Sequence, residues 1–378
     1  VETAWAVEQG SYQKALLRRR YNENALPEVL IADLRQEILN GNPGLISTPL
    51  RQELEKNLAA GEQSILFLNR RGSSRMLLCG ECGEVPECPR CSVPMTYHSA
   101  NGRLMCHYCG HSEPAYDRCP QCGGIMKHIG TGTQKVEEEL HALFPGAKVL
   151  RMDTDTVGAS HGHEKLLRQF EEEKIPILLG TQMVAKGLDF ENVTLVGVLC
   201  ADASLYIDNY RAPERTFSLL SQVVGRAGRG SKQGRAIIQT FTPENEVIRA
   251  AAAQDYDAFY ESEIRMRRLR RYPPFADLFS FTVTGADESR VIRAAKALRD
   301  ALGYAVERRE ELKPLSIEVL GPAGASVVKV NNRYRYRVFL VGKGCPALRR
   351  LVAEYLYAFY QHKENRGLDI FADCNAIQ

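Results

Sequence analysis

Residues 79–122 read CGECGEVPECPRCSVPMTYHSANGRLMCHYCGHSEPAYDRCPQC, and the cysteines in this stretch decide how the rest of the chain is read. They stand as four Cys-x-x-Cys pairs: Cys79/Cys82, Cys88/Cys91, Cys106/Cys109 and Cys119/Cys122. Two intervening residues let both thiolates reach one tetrahedral metal, at about 2.3 Å each for zinc. Gly83, Gly110 and Gly123 follow three of the pairs, where a knuckle turn favours a positive φ. With four ligands per ion, the eight cysteines make two all-cysteine sites. Asn101-Gly102, flanked by Met95-Thr96-Tyr97 and Arg103-Leu104-Met105, is a hairpin signal. That hairpin brings Cys88/Cys91 to Cys106/Cys109 at one zinc. Cys79/Cys82 and Cys119/Cys122 then close a second zinc around the first, in a nested arrangement. An interleaved pairing fits the hairpin less well. Disulfides are disfavoured by the spacing and by a reducing cytosol, and thioredoxin-like redox chemistry needs one pair, not four. Closed sites leave no position for water, so both zincs are expected to be structural. A module this short is expected to fold on its metal, in a binding reaction worth roughly 10–16 kcal/mol. Cys200, Cys345 and Cys374 are scattered and expected in the core.

Outward from the cysteines the pattern changes. Strands are expected at Glu28–Ala32, Ser64–Asn69, Lys148–Met152, Pro176–Leu179, Thr194–Leu199 and Ala236–Thr240. Helices are expected over Thr48–Ala60, Gln134–Leu143, His163–Glu173 and Ala212–Val224. Apolar strands separated by helices imply a parallel sheet covered on both faces. The cysteines are therefore an insertion in a loop of an α/β domain.

The 378 residues leave room for two or three domains, and 44% hydrophobic with 25% charged residues is ordinary globular composition. No run of about 18 apolar residues is present, so no membrane span is expected. The start, Val1-Glu2-Thr3-Ala4-Trp5, carries no signal-peptide pattern and no Met, so a fragment of a cytoplasmic protein is expected. A net charge of +3 does not by itself announce a nucleic-acid binder. Basic residues cluster at Arg18-Arg19-Arg20, at Arg70-Arg71 and at five arginines from Arg265 to Arg271, each of which also reads as a solvated face.

Open parallel sheets take ligands beyond the carboxyl ends of their strands, and three segments are expected there. Gly130-Thr131-Gly132-Thr133-Gln134 precedes a helix and could offer N–H groups to a phosphate, although a plain turn explains it as well. Gly180 to Phe190, GTQMVAKGLDF, crowds hydroxyl, amide and ammonium groups at a strand end. Gln222 to Gly230, QVVGRAGRG, sets two arginines three apart, which suits a phosphoryl group.

These segments resemble motifs V and VI of superfamily 2 helicases. The four cysteine pairs ahead of Gly130-Thr131-Gly132-Thr133 narrow the resemblance to the PriA family, and it runs through nearly the whole chain. The resemblance implies a RecA-like second helicase lobe with an inserted two-zinc module and an α+β C-terminal domain. It places Arg226 and Arg229 as phosphate-sensing arginines, with Gln222, Gly187 and Asp189 near ATP and its Mg2+. Thr181 and Gln182 would contact DNA. The implied activity is a 3′-to-5′ DNA helicase that recognises stalled forks and promotes primosome assembly. Branched and single-stranded DNA, the single-stranded DNA-binding protein and loader proteins are the implied partners. No Gly-x-x-x-x-Gly-Lys-Ser/Thr loop and no Asp-Glu-x-His box occurs, so the chain alone is not expected to hydrolyse ATP. The competing reading is a non-catalytic zinc-ribbon DNA-binding or assembly protein.

Arg265–Arg271 and Tyr272-Pro273-Pro274-Phe275 read as a boundary. Beyond it an α+β, ferredoxin-like layer is expected, with strands 278–284, 316–320, 325–330, 334–342 and 368–372 and helices 288–305 and 346–361. In Arg333-Tyr334-Arg335-Tyr336-Arg337, period two puts the tyrosines on one face and the arginines on the other, available to DNA. The expected division is a first-lobe tail at 1–25, a helicase lobe at 26–78 and 127–262, a zinc module at 79–126 and a C-terminal domain at 263–378.

Overall fold

The structure is a computed structural model, and it describes residues 1–16, 26–68, 76–90, 94–98, 101–129, 133–152, 162–181, 190–207, 209–228 and 232–376. Six strands, β1 (Glu28–Asp33), β2 (Gln63–Phe67), β8 (Val149–Met152), β9 (Ile177–Gly180), β10 (Val193–Val198) and β11 (Arg235–Thr240), form one parallel sheet. Its order is β1-β11-β10-β2-β9-β8. Alternate side chains serve opposite faces. Ile65, Leu178, Val196 and Ile238 pack on helices Ala212–Val224, Glu246–Ala253 and Tyr256–Leu269. Leu66, Leu179, Leu195 and Ile237 pack on Thr48–Ala60 and Thr133–Leu143. Burial on both faces is why these strands read as unbroken apolar runs. Local signals set the helix ends: Ser47 accepts from Leu50 N–H, a proline sits in the first turn, and Gly61 ends the helix at φ 64°.

The cysteine-rich insertion leaves this sheet after β2. It consists of the pair β3 (Met76–Cys79) and β7 (Met126–Ile129), and the three-stranded β4 (Thr96–His98), β5 (Arg103–Met105) and β6 (Ser112–Pro114). The hairpin expected at Asn101-Gly102 joins β4 to β5, with Tyr97 opposite Leu104.

β12 (Asp277–Gly285), β13 (Glu318–Val330), β14 (Arg333–Gly342) and β15 (Asp369–Cys374) make a second sheet, ordered β13-β14-β12-β15. With helices Glu288–Arg308 and Pro346–Gln361, this is a βαββαβ unit of ferredoxin-like topology. Phe281, Val283, Val338 and Leu340 face the two helices. The two strands expected at 316–320 and 325–330 are one strand whose pairing with β14 slips at Leu320/Ala323 and at Gly324/Lys329. Cys374, expected in the core, is exposed at the end of the edge strand β15, and Cys200 and Cys345 are half-exposed.

A buried ion-pair cluster sits where the sheet domain meets the C-terminal domain. Arg267, 1% exposed, donates to Glu263 at 2.7 Å, to Glu214 at 2.8 Å and to the carbonyl of Pro273 at 3.2 Å. Its guanidinium also lies 5.4 Å from the Tyr210 ring centre. Burial disfavours charge on Arg267, but the neighbouring carboxylates outweigh it and raise the pKa. Arg267→Ala strands Glu263 at low exposure and is expected to cost about 3–5 kcal/mol. Denaturant unfolding monitored on helix content checks this, and an unchanged first transition would rule it out.

Candidate functional site

Two constellations concentrate chemistry, and the cysteines are the first. The thiols of Cys79, Cys82, Cys119 and Cys122 converge with every sulfur within 4.8 Å of the others. Cys79 and Cys122 are 3.5 Å apart, and Cys82 and Cys119 are 3.6 Å apart. Tetrahedral zinc with bonds of about 2.3 Å holds its sulfurs at roughly 3.8 Å, so the group fits zinc closely. Cys88, Cys106 and Cys109 form the second group, with Cys88 and Cys109 3.6 Å apart. Cys91, assigned as its fourth ligand, lies outside the described residues. The grouping is nested, as the hairpin implied. Gly83, Gly110 and Gly123 take φ values of 79°, 76° and 76°, which lets the N–H groups of the knuckles turn inward. Glu81, His111 and Gly124 each donate N–H to a ligand sulfur at 3.4 Å. Burial alone would raise the Cys79 thiol, but N–H groups of Cys82 and Glu81 outweigh it and bring it to about 7. A zinc held by all four of these thiols would keep no open ligand position, which fits a structural rather than a catalytic role.

The second constellation lies at the two ends of the parallel sheet. Thr181, buried, follows β9 at its carboxyl end, where its N–H donates to Met152 O at 3.4 Å. Arg226 does not share that end. Gly228 N–H donates to the carbonyl of Val193, the first residue of β10. Gly228 also packs so tightly that a Cβ would stand 2.2 Å from Gly234 N, just ahead of β11. The expectation that all three segments share the carboxyl side is thereby corrected. Helix Ala212–Val224 returns antiparallel to the strands, as a crossover must, and delivers its C-terminal end to the amino edge. Arg226 is half-buried there, while Gln222 is exposed and donates to Ser218 Oγ at 3.3 Å. Gln182, Gly187, Asp189, Arg229 and Gly130-Thr131-Gly132 lie outside the described residues; residues 182–189 join β9 to the approach of β10.

The arginines of β14 have three different fates. Tyr334 and Tyr336 face the helices, with Tyr336 donating its hydroxyl to Glu288 at 2.8 Å, so the arginines take the opposite face. Arg333 pairs with Asp369 and donates to Thr284 O at 3.2 Å. Arg335 is half-exposed. Arg337 is only 7% exposed and lines a small cavity with His107, Tyr108, Asn209, Tyr210 and Phe339. It is held against the cysteine module, away from solvent, because the module covers that half of the sheet. Sequence reasoning did not single out Arg35, Asp202, His107 or the 321–324 segment. Their partners are far away in the chain, so no local pattern marks them.

Residues 88–114 match the family described as the PriA DNA helicase Cys-rich region domain, and 268–375 the primosomal protein N C-terminal domain. Residues 129–231 match the helicase conserved C-terminal domain. The chain is 42% identical over 376 residues to the replication restart protein PriA of Bacillus subtilis, covering 99% of this chain and 46% of that one. It is 40% identical to PriA of Synechocystis over 86% of this chain and 39% of that one. The chain thus spans about half the length of the curated relatives it matches. Among solved structures, S. cerevisiae Dbp5 bound to RNA and ADP BeF3 is similar at 12% identity and a TM-score of 0.34, over 70% of this chain and 52% of that one. With a cysteine-rich module, a helicase C-terminal lobe and a C-terminal domain that all match, the chain belongs to the PriA family of replication restart proteins.

Proposed function

We propose that this chain is the C-terminal part of an ATP-dependent DNA helicase that moves 3′ to 5′, recognises stalled replication forks and promotes primosome assembly and replication restart. The observation that carries the reading is the 42% identity with a PriA relative along 99% of the chain. The division of labour follows the domains, with 26–78 and 127–262 as motor lobe, 79–126 as a two-zinc module, 263–378 as a DNA- and partner-binding domain and 1–25 as the tail of a first lobe. In this reading Arg226 and Arg229 stabilise the phosphoryl transition state, and Gln222, Gly187 and Asp189 line the nucleotide with its Mg2+. Thr181 and Gln182 hold the DNA backbone. Arg335, and Arg333 once released from Asp369, are the strand residues placed to meet DNA, whereas Arg337 contributes packing. Branched and single-stranded DNA, the single-stranded DNA-binding protein and loader proteins are the partners, in the cytoplasm. Among the described residues no helix is long and apolar enough to cross a membrane.

The chain holds no Gly-Lys-Thr/Ser phosphate loop, so we infer that it does not turn over ATP alone. Fork-stimulated ATPase activity of this chain, beside a form extended to the full length of its relatives, tests both statements. Activity in the extended form only is the expected result. Activity in neither, with fork binding by both, would favour a zinc-containing DNA-binding protein. Robust turnover by the short form would sink the claim that it is inactive alone.

A further inference from the structure

The cysteine module touches two different bodies through two different knuckles. Its outer site, Cys79/Cys82/Cys119/Cys122, meets the carboxyl end of the parallel sheet. Arg35, just after β1, donates from Nη1 to the carbonyl of Cys82 at 3.1 Å, and is itself held by Asp33 and Glu244 at 3.1 and 2.9 Å. A Cβ on Gly83 would stand 2.9 Å from Phe241 O. Phe241 packs with Leu34, Leu78 and Val85, and its N–H donates to the buried carboxylate of Asp202 at 2.9 Å. The hydroxyls of Thr240 and Thr242 donate to the same carboxylate at 2.9 and 2.7 Å. These contacts form a hydrogen-bonded ledge at the ends of β10 and β11.

The inner site meets the C-terminal domain instead. A Cβ on Gly110 would stand 2.5 Å from Pro322 O. His107 donates Nδ1–H to Gly324 O at 2.8 Å, and Tyr108 stacks on Phe339 with ring centres 5.3 Å apart. The His107 ring is buried, and its Nε2 lies 3.2 Å from Nε2 of His98. Both carbonyls, of Pro322 and Gly324, come from the segment where β13 slips against β14. A bulge releases carbonyls from the ladder and re-aims them, here onto the inner knuckle. Around these contacts Leu278, Phe339 and Val341 share an apolar cluster with Leu104, Tyr108 and Cys106.

We propose that the two metal sites secure two separate joints: the outer site fixes the module to the motor lobe, and the inner site docks the C-terminal domain through His107, Tyr108 and Gly110. The inference rests on the zinc reading of the cysteines. Loss of the inner joint uncovers one face of the C-terminal sheet while both large domains stay folded, because each has its own core. Arg35 and the residues 321–324 thereby become positioning elements that set where the C-terminal domain stands relative to the motor lobe.

Zinc content and backbone hydrogen exchange of the whole chain test this, using Tyr108→Asp, Gly110→Val and Arg35→Ala. None of the three replaces a zinc ligand. Tyr108→Asp and Gly110→Val are expected to speed exchange across 321–325 by at least about tenfold while leaving 80–83 near wild type. Arg35→Ala is expected to do the reverse. Should Gly110→Val lose metal through its strained φ, Tyr108→Asp decides. Two zinc ions retained with exchange unchanged at 321–325, or raised equally at both joints, overturns the docking proposal alone. A wild-type chain that binds no zinc overturns it together with the metal reading.

Discussion

Arg226→Ala, placed in a form extended to the length of the relatives, is expected to lower fork-stimulated ATP turnover by about 10³-fold or more, the range seen for an arginine acting on a phosphoryl transition state. The structure bears on why the loss should be confined to turnover. Arg226 lies at the amino edge of the parallel sheet, beyond helix Ala212–Val224, whereas Thr181 lies at the carboxyl end of β9. The sheet separates the two, so removing the guanidinium leaves the proposed DNA-gripping end untouched. DNA affinity is therefore expected to stay within a few-fold of wild type at a stated salt concentration. Arg226→Lys keeps the charge but not the planar fork and is expected to restore little. Equal loss of turnover and DNA affinity would instead assign Arg226 a structural role.

Metal removal is expected to have the largest effect on the fold. Structural zinc in small cysteine sites is worth about 10–16 kcal/mol at neutral pH, which matches or exceeds the whole stability of a typical domain, about 5–15 kcal/mol. The strands of the module are three or four residues long, and several of its buried residues are cysteines, so little apolar surface remains to hold it without the ions. A strong chelator should release two zinc ions per chain and open residues 79–122 to protease, while the parallel sheet keeps its helix signal. Cys119→Ser should lose the outer ion, and Cys200→Ser, outside both groups, should lose none. Metal analysis that finds no zinc, or a module that stays protease-resistant without it, would defeat the assignment.

Much of the architecture was legible in the sequence because it depends on short-range geometry. Cys-x-x-Cys spacing places two sulfurs on one ion by chain connectivity alone, and Asn101-Gly102 chose the nested grouping by closing a hairpin between the inner pairs. The six parallel strands showed as apolar runs because both faces are buried, and helix Ala212–Val224 was readable from its apolar spacing to its end at Gly225. The alternation from Arg333 to Arg337 correctly divided the two faces of β14.

Periodicity reports that a face is covered, but it does not report by what. Arg337 stands on the arginine face, yet the module covers that half of the sheet and takes the side chain from solvent. Arg226 falls on the opposite side of the sheet from the one expected because its segment follows the crossover helix Ala212–Val224, which returns to the amino edge, and does not follow a strand. The slip at 321–324 merged two expected strands into one, since a bulge depends on its partner strand as well as on its own residues. The joints of the module were invisible for the same reason. Arg35 to Cys82 and His107 to Gly324 span 47 and 217 residues, and each is a side chain meeting a carbonyl that any residue could supply. The sequence by itself determined how the described cysteines group, where the six strands of the parallel sheet lie, and which family the chain belongs to. Only the tertiary structure decided which surface each element covers, because burial is a property of two surfaces and a sequence pattern describes one.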